Sequence, residues 1–268
     1  MSTSAIIFEG TVSQHYEDYL GSFLFEPFAV DLVSKINWTG VHHVLELACG
    51  SGRLTGHLAQ RMPMGVTITA TDISTDMLSV AKSRVSGERI TWNQADMMNI
   101  PYEDQHFDLI VCQFALMLVP DQLKAIAEIY RVLKPGGKVI FSTWGDLHYN
   151  KLWAIGDDVL MAAIGKSPMH TNPGPFALDN AAIVLSLLQQ TGFTVPQYTI
   201  VTDMGEIDTA RQAAFGFIYG LPIGQFIQKE NPELLPVILQ TLEEKLRSEL
   251  GEHPLRAPQK ALLFEAIK

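Results

Sequence analysis

The chain of 268 residues has little cysteine, little positive charge and no long apolar run. Two cysteines, Cys49 and Cys112, are too few for a disulfide framework in a chain of this length. The 19 Lys and Arg residues are outnumbered by 29 Asp and Glu residues. The resulting net charge of −10 argues against a broad nucleic-acid footprint. No metal-ligand spacing is visible either.

Targeting signals and membrane spans are not evident in the sequence. The longest apolar run, residues 109–119, is interrupted by Gln113 and is well short of the ~20 residues that a membrane span needs. The first nine residues lack the basic start and the long apolar stretch of a signal peptide. We therefore expect a cytoplasmic protein without a membrane or nucleic-acid partner.

Strand-like and helical patterns alternate along the chain, and the hydrophobic fraction of 47% is ample for a sizeable core. Helices are predicted between the first five strands, over residues 53–62, 74–85 and 121–133. Such alternation implies right-handed crossovers. The sequence therefore predicts an α/β fold with a doubly wound, seven-stranded, mostly parallel, Rossmann-like sheet. Its strands are predicted over residues 43–47, 66–71, 90–93, 109–112, 138–143, 197–201 and 261–266.

Three segments do not follow the alternation and are interpreted as helical caps of a single domain spanning residues 1–268. They are residues 1–40, 146–178 and 209–250. Ligands of open α/β sheets bind outside the carboxyl ends of the strands. We therefore expect the first two segments to cover a pocket there. For the third segment, covering the pocket and packing on the core are equally favoured.

The most informative motif is an apolar strand that carries Glu46 and ends in the small-residue turn 48–52, directly before a helix. Small residues let backbone approach a ligand, and the helix N-terminus favours a carboxylate or a phosphate. Asp72 ends the next strand, where an acid accepts hydrogen bonds from ribose hydroxyls. Asp96 follows the strand after that, where it accepts from the amine of a base, with Met97 beside it. Glu46, in an apolar strand, needs a donor such as a ligand ammonium.

Each acid also has a purely structural explanation. Asp72 could cap the helix after Ser74, and Asp96 could begin a turn before Pro101. The main rival function is that of a nicotinamide-dependent oxidoreductase, but its fingerprint needs a third glycine where this chain has Thr55. A pyrophosphate would also be repelled by Glu46. The pattern favours a cofactor with an amino-acid end, a ribose and a base.

These motifs resemble those of the class I S-adenosylmethionine-dependent methyltransferases, in the small-molecule, ubiquinone/menaquinone-like branch. The similarity lies in residues 44–52, 70–74, 96–102, 107–114 and 133–138, and extends to residues 16–29, 176–178 and 192–193. It implies transfer of a methyl group from S-adenosylmethionine to a small organic acceptor. An oxidoreductase and a non-catalytic S-adenosylmethionine-binding protein stay open as alternatives.

The resemblance also implies a cofactor site. In it, Tyr16, Glu46, Ala48 and Gly50 bind the methionine end of the cofactor. Asp72 and Ile73 bind the ribose and one adenine face, and Asp96 and Met97 bind the adenine. Gln113 and Phe114 line the methyl side. Cys49 and Gly52 in the turn and Met77 in the next helix complete the set. Cys49 departs from the small or polar residue usual in such enzymes, but its size fits.

No catalytic residue is assigned, because a sulfonium is already a strong electrophile and the protein chiefly has to align the reactants. His148, just past the fifth strand, is the best-placed general base, although a structural or solvent-facing role is favoured for it. The aromatic and Met-rich caps predict a mostly apolar acceptor pocket. The alternative is that these side chains form a core within the caps.

Overall fold

The computed structural model describes residues 8–167 and 169–268. Within them, seven strands form one sheet in the order β3-β2-β1-β4-β5-β7-β6. The strands are β1 (His43–Leu47), β2 (Thr67–Asp72), β3 (Ile90–Gln94), β4 (Phe107–Gln113), β5 (Leu133–Trp144), β6 (Thr194–Ile207) and β7 (Leu255–Ile267). The first five strands pair in parallel, and β7 runs antiparallel to both β5 and β6. The predicted doubly wound, mostly parallel sheet is confirmed.

Ten α-helices and one π-helix surround the sheet in the described part of the chain. The N-terminal cap consists of α1 (Thr11–His15), a π-helix (Tyr16–Phe25) and α2 (Glu26–Ser34). The crossover helices are α3 (Arg53–Arg61), α4 (Thr75–Arg84) and α5 (Gln122–Val132). The later helices are α6 (Lys151–Ile164), α7 (Ala181–Thr191), α8 (Ala210–Tyr219), α9 (Pro222–Glu230) and α10 (Leu235–Leu250).

Two of the crossover helices, α4 and α5, begin where a polar side chain replaces a missing intrahelical hydrogen bond. Ser74 Oγ accepts from the backbone N–H of Met77 at 3.1 Å, and Asp121 Oδ1 accepts from that of Lys124 at 2.9 Å. Such N-caps contribute about 1 kcal/mol each. The two helices differ from the predicted ones by one residue at each end.

The core lies on both faces of the sheet because successive strand residues point to opposite faces. Val44 packs with Leu32 and Leu58 from the helices α2 and α3 on one face. Leu45, the next residue, packs with Ile126 of α5 on the other face. All five of these side chains are essentially buried. The parallel pairing of the first five strands places their carboxyl ends at a common edge.

All three predicted cap segments contain helices in the described part of the chain. Residues 1–7 of the first segment and Pro168 of the second lie outside the described residues. The second segment contains α6, and the third contains α8, α9 and α10, with α10 packed against both α6 and α8. No described helix combines the length and the apolar character that crossing a bilayer requires.

Candidate functional site

A cavity of about 880 Å³ opens at the carboxyl ends of β1, β2 and β4. Its wall includes Ala48 directly after β1, Asp72 at the end of β2 and Phe114 directly after β4. Asp96, two residues after β3, also lines it. The parallel arrangement therefore brings together side chains that lie far apart in the sequence, as expected for an open α/β sheet.

The turn after β1 has an unusual backbone, with φ of 50° at Ala48, 54° at Gly50 and 80° at Gly52. A Cβ at Gly50 would meet nothing within 4 Å, so this glycine leaves space beside the cavity. A Cβ at Gly52 would come within 3.0 Å of the Cβ of Ala81, so this glycine permits close packing of α3 on α4. The two glycines thus serve different purposes, the first at the cavity and the second between helices.

Asp72 connects this turn to the next crossover helix. Its Oδ2 accepts from the backbone N–H of Gly50 at 2.8 Å, and its Oδ1 accepts from that of Ser74 at 2.8 Å. Burial raises the pKa of Asp72, and these backbone hydrogen bonds oppose the rise. The structural explanation of Asp72 is therefore correct in part, because it does stabilise the start of α4. It also lines the cavity, so the two interpretations are compatible.

Glu46 does not line the cavity but lies in β1 just before Leu47 and Ala48, which do. It is 1% exposed, and among the described residues Oε2 has no hydrogen-bond partner. Burial, and to a smaller extent the negative charge of Asp72, raises its pKa to about 8 against the opposing effect of hydrogen bonds from Thr55. A buried carboxylate oxygen without a donor is costly, so the site fits a ligand that brings a positive donor.

Asp96 and Met97 form another part of the wall. Asp96 Oδ1 accepts from the backbone N–H of Met98 at 2.8 Å, and the backbone N–H of Asn99 donates to Asp96 O at 2.9 Å. The turn that the sequence offered as an alternative role is therefore present. The same turn exposes the Asp96 side chain to the cavity beside the apolar side chain of Met97.

The fourth strand and the N-terminal helices form an aromatic wall. Phe114 has a φ of 52° and stacks on Trp144, with ring centroids 3.9 Å apart and planes 12° apart. Tyr16 stacks on Phe25 at 4.7 Å, and burial raises the pKa of the Tyr16 phenol. Gln113 Nε2 donates to Phe25 O at 2.8 Å, which connects the end of β4 to the π-helix. A left-handed φ at a non-glycine residue stores strain and is typical of functional sites.

Ten of the thirteen predicted cofactor residues line this one cavity. They are Tyr16, Ala48, Gly50, Asp72, Ile73, Met77, Asp96, Met97, Gln113 and Phe114. The other three, Glu46, Cys49 and Gly52, are not among the lining residues. Burial raises the pKa of the Cys49 thiol well above its ordinary value, so this side chain stays protonated. Cofactor contacts of all thirteen stay predictions.

The cap segments contribute mostly apolar residues to the cavity wall. Residues 146–178 contribute Trp153, Met169, Pro173 and Pro175, and residues 209–250 contribute Ile223 and Phe226. The third segment therefore borders the cavity and also packs on the core, through buried side chains of α8 and α10. These lining residues were not identified individually from the sequence, where only the aromatic and Met-rich composition indicated them.

Titratable side chains are scarce in the cavity wall. Among its described lining residues, the titratable ones are Tyr16, Asp72 and Asp96. His148, the best-placed base candidate from the sequence, is exposed and does not line the cavity. His170 is also exposed, and its Nε2 lies 3.3 Å from Asp179 Oδ2. In the part of the chain that the structure describes, no cluster of His, Cys, Asp or Glu has the arrangement of a metal site.

The chain is similar to known methyltransferases in both sequence and fold. Residues 45–141 match the family described as Methyltransferase domain. The chain is 34% identical over 112 residues to a demethylmenaquinone methyltransferase of Lactiplantibacillus plantarum, covering 40% of this chain and 47% of that protein. It is 34% identical over 146 residues to a ubiquinone/menaquinone biosynthesis C-methyltransferase of Geotalea daltonii, covering 50% of this chain and 61% of that protein.

Solved structures show the same fold at lower sequence identity. The phosphoethanolamine N-methyltransferase 2 of Haemonchus contortus in complex with S-adenosyl-L-methionine superposes with a TM-score of 0.59 at 20% identity, covering 96% of this chain and 56% of that one. The chain spans about half the length of the curated relatives that it matches. Residues 45–141 thus match a methyltransferase domain, and the chain has the fold of a solved methyltransferase.

Proposed function

We propose that the chain transfers a methyl group from S-adenosylmethionine to a small, mostly apolar organic acceptor. The observation that carries this proposal is a single cavity whose wall has both a polar part and an apolar part. Asp72 at the end of β2 and Asp96 after β3 contribute carboxylates, and mostly apolar side chains from the cap segments line the same cavity. A cofactor with polar ends and an apolar acceptor need these two surfaces side by side.

The residues around the loop fit the amino-acid and nucleoside parts of this cofactor. Asp72 accepts from the ribose hydroxyls with the lone pairs that Gly50 and Ser74 leave free. Asp96 accepts from the adenine amine beside Met97. Glu46 supplies the negative charge behind the loop for the methionine ammonium, whose donor satisfies the unpartnered Oε2 directly or through water.

S-adenosylmethionine, when bound, supplies an electrophilic methyl group on a sulfonium. The chain contributes alignment, because holding two reactants in line is worth ~7–11 kcal/mol without any acid or base. The apolar wall at Phe114, Trp144 and Trp153 excludes water from the acceptor side. Since the titratable lining groups are Tyr16 and the two acids, the acceptor loses its proton to solvent or to one of these groups.

The acceptor is proposed to be a flat ring with little charge. Trp144, Trp153 and Phe226 offer ring faces and edges, and Met117 and Met169 offer adaptable apolar contacts. The names of the two curated relatives refer to menaquinone and ubiquinone precursors, which is consistent with a quinone-like ring. A screen of aromatic and quinol metabolites for methylated product, read by mass spectrometry, identifies the acceptor.

Thermal unfolding with S-adenosylhomocysteine and with NADH tests the cofactor assignment. A ligand at a hundredfold excess over its Kd stabilises the folded state by ~2.7 kcal/mol. We expect Tm to rise by about 5 °C with S-adenosylhomocysteine and to stay unchanged with NADH. A rise with NADH alone would favour the oxidoreductase. A rise with S-adenosylhomocysteine but no methylated product in the screen would favour a non-catalytic binding protein.

A further inference from the structure

The Glu17 side chain is the centre of an ionic network beside the cofactor loop. Its Oε2 accepts from Ser51 Oγ at 2.6 Å and from Arg53 Nε at 3.2 Å. Its Oε1 accepts from Arg53 Nη2 at 2.5 Å and lies 3.1 Å from Arg84 Nη2. The Glu17 residue is only 8% exposed, so these charges interact with little screening by water.

The same network extends to α2 and α3. Arg53 Nη1 donates to Glu26 Oε2 at 2.6 Å, and His57 Nε2 lies 2.7 Å from Glu26 Oε1. Arg84 Nη1 donates to Ser51 O at 2.6 Å, which fixes the backbone of the loop as well as its side chain. We call Glu17, Glu26, Ser51, Arg53, His57 and Arg84 the Glu17 network. It connects the N-terminal helices, the loop after β1 and the helices α3 and α4.

The backbone of the π-helix is shaped to receive Arg53. A Cβ at Gly21 would lie 2.3 Å from Arg53 Nε and 2.5 Å from Arg53 Nη2. The Arg53 guanidinium therefore packs directly against Gly21. It lies in the space that the side chain of any larger residue at position 21 would occupy. Gly56, on α3, offers a contrast, because a Cβ there would meet Val85 Cγ2 at an ordinary 3.6 Å.

Tyr16 and Phe25, near the two ends of the π-helix, line the cavity, whereas Glu17 does not. Glu17 is the chain neighbour of Tyr16 and bonds to Ser51, the chain neighbour of Gly50. The two walls of the cavity that carry Tyr16 and Gly50 are thus joined through one buried carboxylate. Displacing it would leave Arg53 and Arg84 close together without their shared counter-charge.

We propose that Glu17 is a positioning residue of the cofactor site, which holds the Tyr16 wall against the loop after β1. This inference rests on the proposed function, since it concerns the affinity of that site for its cofactor. Without Glu17, the π-helix is no longer bonded to the loop. Part of the binding free energy of the cofactor is then used to order the Tyr16 wall, so the affinity for the cofactor falls. The effect acts through Tyr16, so it vanishes when the Tyr16 ring is absent.

The test is calorimetric titration of S-adenosylhomocysteine into the full chain and its variants. We expect about tenfold weaker binding for Glu17→Gln and for Tyr16→Leu, and about tenfold, not a hundredfold, for the double variant, because coupled residues are not additive. Gly21→Ala, which displaces Arg53 without removing a charge, is expected to weaken binding by a similar factor. Gly56→Ala is the matched control and keeps the affinity of the original chain.

Peptide hydrogen exchange without ligand adds a second measurement. Glu17→Gln and Gly21→Ala are expected to speed exchange in residues 11–25 and to leave exchange in β1 and β4 unchanged. Unchanged S-adenosylhomocysteine affinity in both variants would overturn the positioning role, as would a double variant with the full product of the single effects. If the original chain does not bind S-adenosylhomocysteine at all, the proposed function fails first, and this inference fails with it.

Discussion

The carboxylate of Asp72 accepts the backbone N–H of Gly50 at 2.8 Å, and this contact joins the end of β2 to the loop after β1. The pairing of β1 with β2 in parallel brings these two residues to the same edge of the sheet. Asp72 therefore has two functions, because it shapes the loop and remains available to the cavity. Substitutions at this residue must be interpreted with both in mind.

Asp72→Asn is expected to weaken S-adenosylhomocysteine binding by about 10- to 100-fold. The change keeps one oxygen for a backbone N–H but removes the charge, and a hydrogen bond to a charged group is worth ~1.5–3 kcal/mol. Calorimetric titration measures the loss. Asp158→Asn is the control, since Asp158 is exposed on α6 and does not line the cavity. Equal affinities in the two variants would remove Asp72 from the cofactor site.

In the ligand-free protein, Glu46 makes the stability of the folded state decrease as the pH rises. Its pKa is about 8 in the folded chain, above the ordinary value of 4.5, so the folded state binds the proton more tightly than the unfolded state. Stability from this group is therefore fully present below about pH 4.5 and is lost as the pH rises through about 8. Glu46→Gln is expected to flatten the decrease of Tm between pH 5 and pH 8. An identical pH profile in the variant would contradict the assignment.

Binding of the cofactor is expected to reverse the protonation of Glu46. A ligand ammonium favours the ionised carboxylate, so S-adenosylhomocysteine binding at pH 7 should release a proton. Titration in two buffers of different ionisation enthalpy measures this release. The release is expected to disappear in Glu46→Gln. Its persistence in that variant would assign the proton to another group.

Arg131 is expected to stabilise the segment that follows Asp96. Its guanidinium donates to Ile100 O at 2.9 Å and to Tyr102 O at 2.8 Å, and it pairs with Glu128 and Asp104. Arg131→Gln leaves these carbonyls without their charged donor and should lower the free energy of unfolding by ~1–3 kcal/mol. Urea unfolding measures the loss. Lys124→Gln, at an exposed position of the same helix, is expected to change stability by less than ~0.5 kcal/mol.

The sequence predicted β1 to β4 to within two residues because local signals agree there, whereas β5 was predicted over residues 138–143 but spans Leu133–Trp144. β1 has the predicted bounds, and each of the helices between the first five strands was placed to within a residue or two. β6 was predicted over residues 197–201 but spans Thr194–Ile207, and β7 was predicted over residues 261–266 but spans Leu255–Ile267. The residues of β6 are mostly exposed, and its length follows from pairing with residues of β7 that lie 48 to 73 positions away in the chain. An exposed strand carries little hydrophobic periodicity, so its ends could not be found locally.

The candidate site was predictable where residues follow strand ends, and not where the caps supply the wall. Asp72 is the last residue of β2, and Asp96 follows the end of β3 by two residues. The parallel topology of these strands brings the two acids together at the cavity. Ile223 and Phe226 reach the cavity only through the packing of α8 and α9, which no local pattern specifies. Glu17 was overlooked because an acid within an N-terminal helix is usually solvated, and its partners lie more than 30 residues away.

The most direct measurement is a crystal structure of the chain with S-adenosylhomocysteine. We expect the ligand in the cavity of about 880 Å³, with its ribose hydroxyls on Asp72, its adenine amine on Asp96 and its ammonium toward Glu46. A ligand bound elsewhere, or a cavity filled by NADH but not by S-adenosylhomocysteine, would contradict the account.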